Sequence, residues 1–384
     1  MIPYGRQDIN DDDISAVAEV LRSDFLTQGP VVPAFEKAIA DYCGVAHAVA
    51  VNSATSALHI ACLALGVRAG DLVWTSPITF VASANCALYC GADVDFIDID
   101  PVSYNLSVER LAEKLASAEQ AGRLPKVVIP VHLCGQPCAM SAIRALSQRY
   151  GFFVIEDASH AIGGRYQNEP IGNCRYSDIT IFSFHPVKIV TSAEGGMALT
   201  KDAALATRME LLRSHGITRD ENVMSKMPDG PWYYEQKMLG FNYRMTELQG
   251  ALGRSQMTRL DEFVGRRHQL AMRYDRMLAD APVRIPYQHN DGYSGLHLYV
   301  IRLEQGSRQP HRQVFDGLRA AGIGVNLHYM PVYLQPYYQS LGFKAGMCPE
   351  AESYYHQAIS LPMYSGLSEA DQDYVAKTVI GLTT

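Results

Sequence analysis

The stretch AVAVNSATSALHIACLAL, residues 48–65, decides the fold class because a strand pattern gives way to a helix pattern within two residues. Ala48 to Val51 is a short run of small and β-branched apolar residues, which predicts a buried strand. The following residues predict a helix from Ser53 to Leu65, and serine is a frequent cap at a helix start. A strand followed at once by a helix is the repeating unit of an α/β fold.

The same order continues downstream. Further strands are predicted at residues 72–75, 94–97, 127–131 and 153–155, and helices over 78–89 and from near Ser107 and Ser141. Such alternation is typical of a mainly parallel sheet with helices on both faces. Two more strands, 179–184 and 197–200, lie close together around Gly195 and Gly196. Their spacing predicts a change of strand pattern near the edge of the sheet.

The second half of the chain has a different pattern. A polar segment rich in proline and glycine, Met224 to Pro231, predicts an exposed loop. After it we predict helices at 246–256, 260–278 and 309–321, a strand at 297–303, and a last helix after Ser368. We therefore expect a large domain over residues 1–250 and a smaller C-terminal α+β domain over residues 251–384.

Composition excludes several functional classes. The chain has 384 residues, 48% of them hydrophobic and 19% charged, with a formal net charge of -7. No segment concentrates basic residues, so we expect no nucleic-acid partner. No apolar run is long enough to span a bilayer and the N-terminus lacks the pattern of a secretion signal, so we expect a cytoplasmic protein with no membrane partner. The tightest cysteine pair, Cys134 and Cys138, has an unusual spacing for zinc, and we expect no metal site.

Two segments place polar groups where α/β sheets bind ligands. In VNSATSALHIA, residues 51–61, the helix start offers free N–H groups and hydroxyls to a phosphate, although Ser53 could simply cap the helix. In VIEDASHAIGG, residues 154–164, a buried strand ends in two acids. A carboxylate there needs a partner, such as a protonated pyridine nitrogen, unless Asp157 only caps the next helix.

The third segment is IFSFHPVKIVTSAEGGM, residues 181–197. Lys188 is the only lysine between Lys126 and Lys201, and Ser183 precedes it after an apolar strand. A lysine amine condenses with an aldehyde cofactor when it is partly neutral. A phosphate site, a strand-end acid and a lysine, in this order along the chain, are the groups needed to bind pyridoxal 5'-phosphate (PLP). Dinucleotide, ATP, zinc-protease and serine-hydrolase motifs are absent from the sequence.

These segments, with LTQGPVVPAFEKAIADYCGVAHAVAVNSATSAL at residues 26–58, resemble the DegT/DnrJ/EryC/StrS-type sugar aminotransferase family over essentially the whole chain. The resemblance implies the aspartate-aminotransferase-like fold (PLP fold type I), with a large, mostly parallel seven-stranded-type sheet. Within the family, four stretches, at residues 183–196, 231–253, 325–338 and 358–364, resemble the branch that serves pseudaminic acid biosynthesis. That branch aminates C4 of a UDP-linked 4-keto-6-deoxy-N-acetylhexosamine (UDP-4-keto-6-deoxy-L-AltNAc) with nitrogen from L-glutamate.

The resemblance also implies a role for each site residue. Lys188 binds the cofactor aldehyde covalently and moves the proton, and Asp157 pairs with the pyridine nitrogen. Ala54, Thr55 and Ser183 hold the phosphate, Phe80 lies against the ring and His160 lies near its 3-oxygen. Asn242 reaches the phosphate from the neighbouring subunit, which makes a homodimer the minimal active unit. Residues expected to contact the nucleotide sugar are Tyr4, Thr27, His328 and Tyr329.

Several alternatives stay open at this level. Phe80 could be ordinary core, His328 and Tyr329 could plug the domain interface, and Asn242 could be a turn residue. Arg213 and Arg244 are candidates for the donor carboxylates because arginine can bind a carboxylate with two parallel bonds. The chain could act on another nucleotide-linked 4-keto sugar, or bind PLP as a regulatory protein without turnover. In a PLP-dependent sugar dehydratase of the same fold a histidine replaces the lysine, so Lys188 argues against that function.

Overall fold

The computed structural model describes residues 1–384. Its helices are α1 (Asp11–Arg22), α2 (Val31–Cys43), α3 (Ala54–Ala64), α4 (Ala82–Tyr89), α5 (Val108–Gln120), α6 (Met140–Tyr150), α7 (Ala203–Arg213), α8 (Glu247–Met257), α9 (Leu260–Met277), α10 (His311–Ala320), α11 (Pro336–Ser340), α12 (Pro349–Tyr355) and α13 (Glu369–Thr383). Its strands are β1 (His47–Val51), β2 (Leu72–Thr75), β3 (Asp93–Phe96), β4 (Val127–Ile129), β5 (Phe153–Asp157), β6 (Arg165–Tyr166), β7 (Glu169–Pro170), β8 (Ile179–Ser183), β9 (Gly196–Thr200), β10 (Ile217–Thr218), β11 (Glu235–Gln236), β12 (Val283–Arg284), β13 (Gly292–Tyr293), β14 (Tyr299–Leu303) and β15 (Ala358–Leu361).

A seven-stranded sheet forms the centre of the molecule, with strand order β1-β9-β8-β5-β4-β2-β3. Strands β3, β2, β4, β5 and β8 are parallel neighbours, whereas β9 runs antiparallel to both β8 and β1. The prediction of a mainly parallel sheet, and of a changed strand pattern at residues 179–200, is therefore confirmed. Helices pack on both faces of the sheet. Successive side chains of β8 point to opposite faces, and Ile181 and Phe182 accordingly belong to different hydrophobic clusters.

One helix start differs from the prediction. The sequence predicts a helix over residues 78–89, but α4 begins at Ala82. The backbone before it is used in other contacts: Ile78 N–H donates to Ser76 Oγ at 3.3 Å, and the Pro77 carbonyl accepts from Val332 N–H at 2.9 Å. Residues 78–81 therefore form a turn, and this turn lines the site described below.

A separate hydrophobic cluster lies in the C-terminal part of the chain. Strands β12, β14 and β15 form a three-stranded antiparallel sheet against α9, α10 and α13. This core contains Tyr274, Tyr299 and Ile359. The division at about residue 250 stays a prediction. None of the helices combines the length and the apolar character needed to cross a membrane.

Candidate active site

A cavity of about 750 Å³ lies at the carboxyl ends of β5 and β8. This is the end of a parallel sheet at which ligands bind in open α/β folds. Its wall comes from the start of α3, the turn before α4, residues 183–194 after β8, and residues 326–330. Every site residue predicted from the sequence lines this cavity except Thr27 and Asn242. Segments far apart in the chain thus meet around one space.

The start of α3 presents unpaired donors. Ser53 caps the helix, since its Oγ accepts from Ser56 N–H at 3.1 Å, so the cap reading of Ser53 is correct. The next two N–H groups, of Ala54 and Thr55, belong to the first helical turn, which has no intrahelical acceptor for them. A Cβ on Gly196 would lie 2.5 Å from Ala54 N, so only glycine lets β9 approach this helix start. The donors of this candidate phosphate site are therefore backbone N–H groups.

Asp157 ends β5 and is 4% exposed. Its Oδ2 accepts a hydrogen bond from Ser83 Oγ at 2.6 Å, and its Oδ1 accepts from Ser159 N–H at 3.1 Å. Thr79 Oγ1 lies 2.7 Å from Ser83 Oγ and extends this network. The carboxylate is thus oriented by two donors while it lines the cavity. Sequence reasoning missed Ser83 and Thr79, although both lie in the TSPITFVASAN stretch at residues 75–85.

The neighbouring acid, Glu156, has a different partner. His132 Nε2 lies 2.9 Å from Glu156 Oε1, and His132 Nδ1 accepts from Cys138 N–H at 3.1 Å. Because an N–H donates into Nδ1, the ring carries its proton on Nε2 and donates it to Glu156. Successive residues of a strand point to opposite faces, so only Asp157 of the two acids reaches the cavity.

Lys188 lies in the loop after β8 and lines the cavity. Burial lowers the pKa of its amine to about 8, and the charges of Asp157 and Cys134 partly oppose that shift. A larger fraction of the amine is therefore neutral near physiological pH than for an exposed lysine. A neutral amine can attack a carbonyl carbon. Ser183, at the end of β8, is also buried and lines the same space.

His160 is fixed as a neutral ring. Its Nδ1 accepts from Cys134 N–H at 3.3 Å, so its proton resides on Nε2, which lies 3.3 Å from the Tyr329 hydroxyl. Burial, with Lys188 and His328 nearby, holds the pKa of His160 well below its usual value. Burial raises the pKa of the Tyr329 phenol, which therefore keeps its proton.

The other predicted residues that line the cavity are His328, Tyr4 and Phe80. Burial, with a smaller effect from Lys188, lowers the pKa of His328 to about 3, and its Nδ1 lies 2.7 Å from Ser360 Oγ. The Tyr4 ring packs on it at 5.2 Å between centroids. Phe80 is 58% exposed, with its centroid 6.4 Å from that of Tyr329. Phe80 is therefore not ordinary core.

Thr27 and Asn242 lie outside the cavity. Thr27 is exposed and its backbone pairs with Thr246. Asn242 is exposed and its backbone forms an antiparallel bridge with Ser214, so it does not sit in a tight turn.

The two arginine candidates also lie apart from this chain's cavity. The Nη1 group of Arg213 bonds Glu36 and the Ala50 carbonyl. Arg244 donates only to Ser214 Oγ, at 2.9 Å. Arg244 therefore keeps more of its bonding capacity free than Arg213 does.

Comparison with known proteins defines the class. The sequence model of the DegT/DnrJ/EryC1/StrS aminotransferase family matches residues 7–380. A spore coat polysaccharide biosynthesis protein, SpsC of Bacillus subtilis, is 39% identical over 98% of this chain and 96% of its own length. The UDP-4-amino-4,6-dideoxy-N-acetyl-beta-L-altrosamine transaminase of Campylobacter jejuni is 35% identical over 100% and 97%. Helicobacter pylori PseC, an aminotransferase of pseudaminic acid biosynthesis, superposes with a TM-score of 0.91 at 31% identity, covering 100% and 99%.

The chain belongs to the DegT/DnrJ/EryC1/StrS family and is a sugar aminotransferase. The expected fold and enzyme class are confirmed. The cofactor that this family implies is PLP, and the residues at the site fit it. The donors at the α3 start and Ser183 suit a phosphate, and the buried, hydrogen-bonded Asp157 suits a ring cation. The Lys188 amine suits an aldehyde.

Proposed function

We propose that this enzyme transfers an amino group from L-glutamate to C4 of UDP-4-keto-6-deoxy-L-AltNAc, a UDP-linked 4-keto-6-deoxy-N-acetylhexosamine, in pseudaminic acid biosynthesis. The observation that carries the chemistry is the shared cavity of Lys188 and Asp157, in which the amine has a lowered pKa and the acid is held by two donors. The choice of sugar is supported by the likeness to the altrosamine transaminase and to PseC.

The family resemblance and the chemistry of each group together support the cofactor-holding roles. The Ala54 and Thr55 N–H groups and the Ser183 hydroxyl would hold the phosphate of PLP, with Phe80 beside the ring and His160 near its 3-oxygen. Asp157 would stabilise a protonated ring nitrogen through a charge-assisted hydrogen bond. When bound, PLP supplies a carbonyl that carries the amino group and a ring that withdraws electrons from the reacting carbon.

Lys188 performs the proton transfer. Its Nζ, with a pKa of about 8, can take a proton from the donor carbon and return it to the acceptor carbon at physiological pH. Donor and acceptor would use the cavity in turn, so one lysine serves both halves of the reaction. Because the rings of His160 and His328 are neutral, they do not lower the pKa of this amine further.

The nucleotide sugar would bind beside the predicted sugar-contacting residues of the cavity wall. Tyr4, His328 and Tyr329 would contact the sugar from this chain, with Thr27 further out. Lys188 is the only lysine or arginine among the residues that line the cavity, whereas Asp157 and Glu194 are acids. A diphosphate and the carboxylates of glutamate therefore need cations from elsewhere.

We place those groups on a second copy of the chain. Residues 214–244, called here the 214–244 arm, carry Asn242 and Arg244 outside the cavity of their own subunit. The arm also exposes four large apolar side chains: Met227, Trp232, Tyr234 and Leu239. Exposed apolar side chains concentrated in one segment favour an interface. In a homodimer, Asn242 would reach the partner's phosphate site and Arg244 the donor carboxylate.

We propose that the reaction takes place in the cytoplasm. All eight cysteines are free thiols, which is the usual state in a reducing compartment.

A panel of nucleotide-linked 4-keto sugars, incubated with L-glutamate and the holoenzyme, tests the assignment. We expect amination at C4 of UDP-4-keto-6-deoxy-L-AltNAc, identified by mass and NMR. The second candidate function is amino transfer to another nucleotide-linked 4-keto sugar, and the sequence identity to SpsC supports it. Preferential amination of such a sugar would change the proposed substrate but not the proposed chemistry. If glutamate alone leaves the cofactor absorbance unchanged, the protein is a PLP-binding regulator rather than an aminotransferase.

A further inference from the structure

A second depression, called here the α4–α11 groove, opens beside the active-site cavity. Its volume is about 450 Å³. It lies between helix α4 and the start of α11 and is lined by Val81, Asn85, Leu88, Tyr89, Gln335, Pro336, Tyr337 and Tyr338.

The groove adjoins the cavity. Val81 and Gln335 line both spaces, so one side of the groove is also the edge of the cavity mouth. Phe80, next to Val81, stands exposed at that edge. A molecule whose reacting carbon lies near Lys188 can therefore extend past Val81 and Gln335 into the groove.

Two exposed aromatic rings belong to the groove. Tyr89 is 55% exposed and Tyr337 is 60% exposed. Each is supported from behind by another ring: Tyr89 packs edge-on against His59 at 5.4 Å, and Tyr337 against Tyr338 at 5.7 Å. Supported, exposed rings are suitable surfaces for stacking a planar ligand group.

Two amide side chains complete the lining. The hydroxyl of Tyr338 donates to Asn85 Oδ1 at 2.6 Å, which fixes the amide and leaves both hydrogens of Asn85 Nδ2 for another acceptor. Gln335 is half-buried and offers one donor group and one acceptor. No lysine, arginine, histidine or acid lines the groove, so it does not suit a phosphate or a carboxylate.

We propose that the α4–α11 groove binds the uracil base of the nucleotide sugar, an inference that rests on the proposed function. Uracil is planar and uncharged, and its edge alternates two carbonyl acceptors with one N–H donor. Asn85 Nδ2 and Gln335 match that alternation, and Tyr89 and Tyr337 match the flat face. The groove thus selects the base while the cavity holds the sugar.

Isothermal titration calorimetry of the holoenzyme with UDP tests this placement without any turnover. We expect Tyr337→Ala to weaken UDP binding roughly 5- to 100-fold, the range that loss of one base-stacking contact gives. Gln335→Ala should weaken it about 2- to 10-fold, as for loss of one neutral hydrogen bond. In steady state both variants should raise KM for the nucleotide sugar and leave kcat nearly unchanged. Tyr337→Phe should bind as the wild type does, because stacking needs only the ring. Tyr287→Ala removes an exposed tyrosine that lines neither space and serves as the matched control.

Three results would overturn the placement. One is wild-type binding of UDP that both variants leave intact, and another is binding of GDP in preference to UDP. The third is loss of the dimer in Tyr337→Ala by light scattering, since the groove would then be an interface between copies. The response of the cofactor absorbance to glutamate is measured separately. Its absence would count against the proposed amino transfer alone, because the UDP titration uses no amino donor.

Discussion

The sheet-end cavity and the 214–244 arm differ in how their polar groups are placed. In the cavity, Asp157 and His160 are buried and hydrogen-bonded within one chain. In the arm, Asn242 is exposed and lies away from that cavity, while Met227 and Trp232 project into solvent. The lysine and the acid of the reactive centre thus lie in one chain, and we propose that cations for the diphosphate and the donor carboxylates come from a partner subunit.

Loss of the reactive amine has the largest expected effect. Lys188→Ala should lower kcat by about 10⁴-fold or more, because it removes both the covalent attachment and the general base. Lys201→Ala, at an exposed lysine that does not line the cavity, should retain wild-type turnover. Borohydride reduction of the holoenzyme and peptide mass mapping should place the cofactor label on Lys188. A label found on another residue would remove the basis of the proposed mechanism.

Loss of the cavity acid should have a smaller effect. Asp157→Asn should lower kcat/KM by about 10²- to 10³-fold, as for removal of one oriented electrostatic group. Asp157 also raises the pKa of Lys188 against burial, so the variant's lysine should titrate below about 8. Since the amine is neutral above its pKa, the pH midpoint for PLP binding to the apoprotein should move down.

The adjacent acid provides the control for that variant. Glu156→Gln can still accept the bond from His132, and residue 156 does not line the cavity. Its pH midpoint should therefore match that of the wild type. Equal shifts in both variants would show that the effect is not specific to the acid in the cavity.

A change in the 214–244 arm should have the smallest effect on the reaction, because we propose that Asn242 of the arm binds the cofactor phosphate in the partner subunit. Asn242→Ala should weaken PLP binding about tenfold, the loss of one hydrogen bond to a charged group. Mixing refolded Lys188→Ala and Asn242→Ala chains at limiting PLP should restore about a quarter of wild-type activity, because half of the dimers are mixed and each has one intact site. Absence of any recovery would mean that Asn242 serves its own chain.

The order of elements was predictable because it depends on local patterns. Strand β2 has the predicted bounds, and α8 and α9 lie within one residue of theirs. The start of α4 was not predictable, since contacts of Ser76 and Pro77, one of them with distant Val332, decide where that helix begins. Local propensity does not contain such contacts.

The sequence by itself determined the alternating fold, the family and the residue types at the site, because side-chain periodicity and motif order are local properties. Only the tertiary structure decided that Glu156 pairs with His132, that Ser83 orients Asp157, and that burial lowers the pKa of Lys188. It also placed Asn242 outside the cavity and brought Tyr89 and Tyr337 into one groove. Hydrogen-bond partners and burial depend on residues distant in the chain, and these meet only when the sheet, the helices and the C-terminal segment pack together.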